Sequence, residues 1–293
     1  MRLRVRHCNR ARFGTRWSKP ALVSLLLLAN AVGEGPTQLK PGFNLFTKQQ
    51  DVQLGQELAG KIRRQATIVD DPILNSYVNA IGKRLMASQE ARESGFKFTF
   101  EVVANPATNA YALPGGPMFI NTGLLKAVDN EAQLAGAMAH EMSHVILRHG
   151  TNQASKANII QLPLALAAQL TDNASLMGAL AQFGIGLGAD SVLLKFSRTA
   201  ESQADLMGTH LMAEEGYDPI QLARFFNKLN AQDNVGDLEF LSDHHNTDNR
   251  SRAIRQEAAR LPQQTYGYQT GQFQQMKHAV ANIKGPPPEP KAR

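Results

Sequence analysis

Apolar residues recur along most of this chain at helical spacing. The clearest run, Leu134, Met138, Val145 and Ile146, predicts an amphipathic helix over about 130–149, with Asp129 or Asn130 at the N-cap position. Gln53–Gln65 and Ile73–Met86 read as two helices leading into it. Phe98–Val103 and Pro117–Asn121 read instead as short strands, joined through a loop that carries the turn signals Asn105-Pro106 and Gly115-Gly116. Further along, Ile159–Leu170 and Leu176–Leu194 are rich in alanine and leucine. Asp172 and Asn173 split these runs, and Gln161, Gln169, Gln182 and Asp190 interrupt them, which disfavours two membrane helices. A buried helical hairpin and a cover over a cleft that also touches membrane lipids both fit; in the second case Gly184, Gly186 and Gly188 are the hinge positions.

The N-terminus changes the picture of charge. Arg2, Arg4, Arg6, Arg10, Arg12, Arg16 and Lys19 precede an apolar core, Ala21–Ala29, that ends in the small-residue pattern Ala29-Asn30-Ala31. This is the pattern of a secretory signal ending at residue 31, with a core far short of the roughly 20 residues that span a bilayer. Cys8, the only cysteine, precedes that core and so cannot carry the lipid of a lipoprotein signal. Without residues 1–31 the Lys and Arg count falls by seven, from 31 to 24, against 25 acids, and the formal net charge moves from +6 to about −1. The basic balance is therefore no argument for nucleic acid as a partner. The remaining chain has no cysteine and folds without disulfides. Its length, about 260 residues, is enough for one substantial core. The expected organisation is a signal over 1–31, a linker over 32–42, a catalytic domain over 43–283 and a disordered tail over 284–293, where Pro286-Pro287-Pro288 and Pro290 fall.

The sharpest chemical signal lies inside the 130–149 helix. His140-Glu141-Met142-Ser143-His144 sets two imidazoles four residues apart, one above the other on a helix, with a carboxylate beside them. Two such imidazoles can hold one Zn²⁺ per chain, and Glu141 is then placed as the general base for a bound water. A metzincin is excluded, because Leu147 and Gly150 stand where that class needs Gly and His. His149 is one residue short of the required place and rotated about 140° from His144 on a continuous helix. It reads as a surface or helix-C-terminal histidine, with Gly150 as the C′ residue.

A carboxylate from a later helix is the remaining common third ligand. Glu201 and Asp205 are four apart, flanked by the small residues Ala200 and Ala204. Glu201 completes a two-His, one-Glu set, and Asp205 is placed to accept from the outer nitrogen of a ligand histidine. Glu214 and Glu215 compete for the role but sit beside Gly216 at an apparent helix end. The strands supply a way to hold substrate: an edge strand beside the metal can pair with an extended peptide, and Gly116, Met118, Phe119 and Ile120 are the residues expected to do so. A purely structural hairpin, its edge blunted by Pro117, fits the same residues.

Several segments together resemble a known family. Asn109-Ala110-Tyr111-Ala112-Leu113-Pro114-Gly115-Gly116, Phe119-Ile120-Asn121-Thr122-Gly123-Leu124-Leu125, the zinc helix with Arg148-His149-Gly150, and the Glu201–Asp205 pair are similar to the gluzincin zinc metallopeptidases that include the CAAX-processing, HtpX-type and periplasmic BepA/LoiP-type enzymes. The resemblance implies an α+β, mostly α, zincin-like domain with a small β-sheet beside the active helix, and endopeptidase activity on envelope or misfolded proteins in the periplasm. It extends to Ser242-Asp243-His244 and Arg250, although His245 and Asn246 replace prolines common in that segment. It implies a site role for His244 and Arg250, either stabilising the oxyanion or, for His244, capping the zinc. A noncatalytic chaperone or assembly factor built on the protease fold is the competing class, and the intact His140, Glu141, His144 and Glu201 argue against it.

Overall fold

The computed structural model describes residues 35–159, 161–163, 166–167, 175–182, 196–231, 244 and 249–283. The segment read as a signal over 1–31, most of the 159–194 stretch with Gly184, Gly186 and Gly188, and the stretch read as a tail from 284 onward lie outside the described residues.

Local sequence sets the helix starts. α1 (Lys48–Gln65) begins at a capping box in which Thr47 accepts from Gln50 N and the Gln50 side chain reaches back to the Thr47 backbone. α2 (Pro72–Leu85) has Asp71 as N-cap and Pro72 in its first turn, where the missing N–H costs nothing. After α3 (Gln89–Ser94) come three strands, β1 (Thr99–Val103), β2 (Ala110–Ala112) and β3 (Pro117–Asn121), in the spatial order β1-β3-β2. β1 runs parallel to β3, with Phe100 opposite Met118 and Val102 opposite Ile120, while β2 is antiparallel to it. The two strands expected from the sequence are thus not a hairpin with each other. The hairpin is β2–β3, and Gly115 and Gly116, with φ of 80° and 121°, make its turn in a region that other residues rarely enter.

Both faces of the sheet are covered, so β3 reads as a continuous apolar run. Met118 and Ile120 face a large core shared with α2, α5 (Glu131–Ile146), α8 (Arg198–Glu214) and α9 (Ile220–Ala231). Phe119 faces a smaller core with Leu54 and Leu58 of α1. α7 (Leu176–Gln182) joins that second core through Leu176 and Leu180, and the Glu57 carboxylate of α1 accepts from Leu176 N and Met177 N at its start. This part of the 159–194 stretch is therefore packed. Among the described residues no helix is long and apolar enough to cross a membrane.

α5 runs through the middle of the molecule. Every residue from Gln133 to Ile146 is buried, so the helix is enclosed on all sides rather than amphipathic as its spacing suggested. It also ends earlier than expected, at Ile146. Arg148 takes a left-handed conformation, φ 57° and ψ 37°, and a new helix, α6 (His149–Ala157), starts at His149 with Gly150 inside it. α8 starts at Ser197, whose hydroxyl accepts from Ala200 N, and lies directly against α5. Gly208 makes that closeness feasible, since a Cβ there would meet His140 N at 3.2 Å. α10 (Arg250–Arg260) packs on α8, and α11 (Phe273–Ala281) closes the chain over α2 and α4 (Thr122–Ala127). Within the stretch read as a linker, Thr37 N and Oγ1 donate to the Glu257 carboxylate of α10 at 2.6 and 2.7 Å.

Candidate metal centre

Four buried side chains converge where α5 crosses α8. His140, His144, Glu201 and His244 each offer one donor atom, and these atoms all lie within 4.8 Å of one another. His140 Nε2 is 3.1 Å from His144 Nε2, 3.4 Å from Glu201 Oε2 and 3.3 Å from His244 Nδ1. His144 Nε2 is 3.5 Å from Glu201 Oε1, which is 3.1 Å from His244 Nδ1.

These donors fit zinc. Tetrahedral ligands about 2.0–2.1 Å from one ion are about 3.4 Å apart from each other, and the separations here bracket that length. The cluster is also unsatisfied as it stands: Glu201 Oε2 lies near His140 and Arg250 yet makes no hydrogen bond. A cation at the centre satisfies it and removes the opposition of ring nitrogens. The expected ligands His140, His144 and Glu201 thus come together, and His244 joins them as a fourth donor. Glu214 does not: its carboxylate accepts from Gln89 N at the start of α3.

The outer nitrogens have partners as well. His140 Nδ1 is 3.0 Å from Asp205 Oδ1, the position expected for that carboxylate. Arg250 grips the same carboxylate with Nε at 2.8 Å and Nη2 at 2.7 Å, donates Nη1 to the His244 carbonyl at 3.3 Å, and stacks on Phe226. Burial acts to raise the Asp205 carboxyl, but the Arg250 charge and hydrogen bonds outweigh it and hold the group below the usual range. The Arg250 fork engages Asp205 behind His140, and its Nη2 also stands 3.5 Å from Glu201 Oε2 of the cluster.

Glu141 is 1% exposed, and its Oε1 stands 3.2 Å from His244 Nε2. It accepts a hydrogen bond from the Ala112 backbone of β2, and burial pushes its carboxyl up to about 7, with His244 opposing the rise. Sheet order corrects the expected substrate residues. Met118, Phe119 and Ile120 lie on the central strand, paired on both sides and 0% exposed, and Gly116 belongs to the turn. The edge strand beside the site is β2. Because Asn109 pairs with Asn121 and Leu113 with Pro117, alternation turns the main-chain groups of Ala110 and Ala112 outward from β3.

His149 overturns its expected surface position. It is 6% exposed, its Nδ1 is 3.0 Å from His144 Nδ1, and burial pushes its imidazole down to about 4. Phe196, which no local pattern marked, stacks on His144 with ring centroids 3.8 Å apart.

An enclosed helix bearing two histidines, a carboxylate base beside them and a glutamate from a second helix define a zinc metallopeptidase of the gluzincin type. Residues 72–258 match Peptidase family M48, and the chain belongs to that family. It is similar to the beta-barrel assembly-enhancing protease of Escherichia coli (strain K12), 30% identical over 239 residues that cover 73% of this chain and 47% of that protein. It is also similar to the mitochondrial metalloendopeptidase OMA1 of Schizosaccharomyces pombe, 32% identical over 180 residues, 61% of this chain and 51% of that protein. The chain spans about half the length of these relatives.

Proposed function

We propose that this protein is a secreted, periplasmic zinc endopeptidase that cleaves unfolded or envelope proteins. The observation that carries the activity is the meeting of His140, His144 and Glu201 with Glu141 alongside. A bound zinc supplies Lewis acidity toward a scissile carbonyl and lowers the pKa of water. Glu141, buried beside the ligand set, receives the proton of the attacking water and passes it to the leaving amine. Strand addition of an extended peptide falls to β2, the edge strand beside Glu141, once Ala110 and Ala112, 0% and 6% exposed, are uncovered, which favours unfolded segments over compact ones. Asp205 and Arg250 hold His140 in the tautomer whose Nε2 faces the cluster.

The compartment rests on the signal pattern of residues 1–31, and the envelope substrates on the similarity to a relative named for β-barrel assembly. Peripheral contact with membrane lipids accompanies the cover reading of the 159–194 stretch.

The full chain, expressed with its N-terminus and recovered by osmotic shock, tests the activity. It should begin at Val32, hold about one zinc, and cleave unfolded casein. Glu141→Gln should keep its zinc and lose at least about 100-fold in activity, because a base is removed without a ligand. Glu201→Ala should lose both zinc and activity. A Glu201→Ala protein that binds zinc and cleaves as wild type does would remove Glu201 from the site.

A further inference from the structure

His149 is buried beside a ligand without being one of the four clustered donors. Its position follows from the turn that ends α5. Arg148 is the only described non-glycine residue with positive φ, a strained conformation that needs support from its surroundings. Asp51 of α1 provides it, accepting from Arg148 Nε at 2.5 Å, and the Phe46 carbonyl accepts from Nη2 at 2.6 Å. The reversed chain brings the His149 ring back against His144, Nδ1 to Nδ1 at 3.0 Å. On the far side of the ring, His149 Nε2 is 3.2 Å from Gln203 Oε1.

Two ring nitrogens at 3.0 Å need one proton between them. If His144 ligates through Nε2, its own proton is on Nδ1, so His149 Nδ1 must accept. His149 then carries its proton on Nε2 and donates it to the Gln203 amide oxygen. The opposite polarity puts a proton on His144 Nε2, where it points at His140 and Glu201 and blocks ligation. Only one arrangement of the chain is compatible with a metal.

We propose that His149 and Gln203 are positioning residues that fix the tautomer and orientation of His144, as Asp205 does for His140. α8 would then supply the third ligand, Glu201, and the outer partner of each ligand histidine: Asp205 directly for His140, Gln203 through His149 for His144. The His149 that accepts from His144 is the neutral ring, since an imidazolium has no free nitrogen to accept with.

The inference rests on His144 being a ligand, so zinc binding by the wild-type chain is measured first. Absence of zinc there would withdraw the metal reading itself. Given a zinc-binding wild type, His149→Phe and Gln203→Leu should each weaken zinc about 10–100-fold in competition with a chromogenic chelator. Both should also alter the visible spectrum of the cobalt-substituted protein. Gln203→Glu, which still accepts from His149 Nε2, should stay near wild type in both measurements. A ring needed only for packing gives a different pattern: Gln203→Leu neutral, Gln203→Glu harmful. Wild-type zinc affinity and cobalt spectra in His149→Phe and Gln203→Leu would overturn the proposal. Should His149→Phe fail to fold, the half-buried Gln203 pair of variants decides it alone.

Discussion

His244 Nε2 stands 3.2 Å from Glu141 Oε1 while its Nδ1 stands 3.3 Å from His140 Nε2, so one ring touches both the base and the ligand set. A water between Glu141 and the donors would have to share the space of this ring. We propose that His244 acts as a cap, one of the two roles the family resemblance allowed for this histidine.

Removing the cap should therefore open the site. His244→Ala leaves His140, His144 and Glu201 in place and should keep zinc near one per chain while cleaving casein faster. The gain equals the ratio of total to open enzyme and is about tenfold if the capped form holds 90% of the population. A fall in activity at unchanged zinc content would assign His244 to the transition state instead.

What was legible in the sequence was whatever one helix carries alone. The spacing of His140, Glu141 and His144 fixes their relative placement without help from the rest of the chain, and the same holds for Glu201 and Asp205. The site's outer partners were hidden because they depend on distant residues. His149 was placed by extending α5 through it, but the turn at Arg148 depends on Asp51, 97 positions away. β2 was missed because three residues, Ala110–Ala112, are too few to show an alternation. With β2 absent from the reading, β3 became the candidate edge, and Met118, Phe119 and Ile120 were assigned to substrate although they are fully buried.

Arg250 and Asp205 form an ion pair with side chains only 3% and 1% exposed. Removing one partner of such a pair leaves a buried charge and typically costs about 3–5 kcal/mol. Arg250→Met should destabilise the zinc-free protein by an amount of that order in urea unfolding. Arg250→Met combined with Asp205→Asn should recover part of the loss. Equal losses in the single and double variants would show that the charge on Asp205 is not what Arg250 offsets.

Gly208 faces backbone, with His140 N at 3.2 Å and Ala139 C at 3.4 Å from where a Cβ would stand. Main chain inside a buried helix yields less than a side chain does. Gly208→Val should force α8 from α5, costing about 1–3 kcal/mol and weakening zinc because Glu201 moves with the helix. Gly208→Ala should show the same signs at smaller size. Unchanged urea midpoints and zinc affinity in Gly208→Val would mean that the two helices separate freely.

A second buried pair, remote from the metal, makes a pH-dependent prediction. His210 Nε2 of α8 is 2.7 Å from Glu257 Oε1 of α10, and its Nδ1 is 3.5 Å from Glu90 of α3. Arg260 Nη1 and Thr37 also donate to Glu257. Burial acts to lower the His210 pKa, but Glu90 and Glu257 outweigh it and the pKa is raised. Burial likewise acts to raise Glu257, while His210 and Thr37 hold it below its usual value. A raised histidine contributes stability that is complete below its unfolded pKa of about 6.5 and lost as pH rises through the folded value. A lowered glutamate contributes stability that is present above about 4.3 and lost as pH falls through the folded value. Both contributions overlap between about pH 4.3 and 6.5. The difference in urea midpoint between wild type and His210→Gln should therefore be largest in that window and shrink toward pH 9. A difference that stays constant from pH 5 to pH 9 would show that His210 acts through packing and not through its charge.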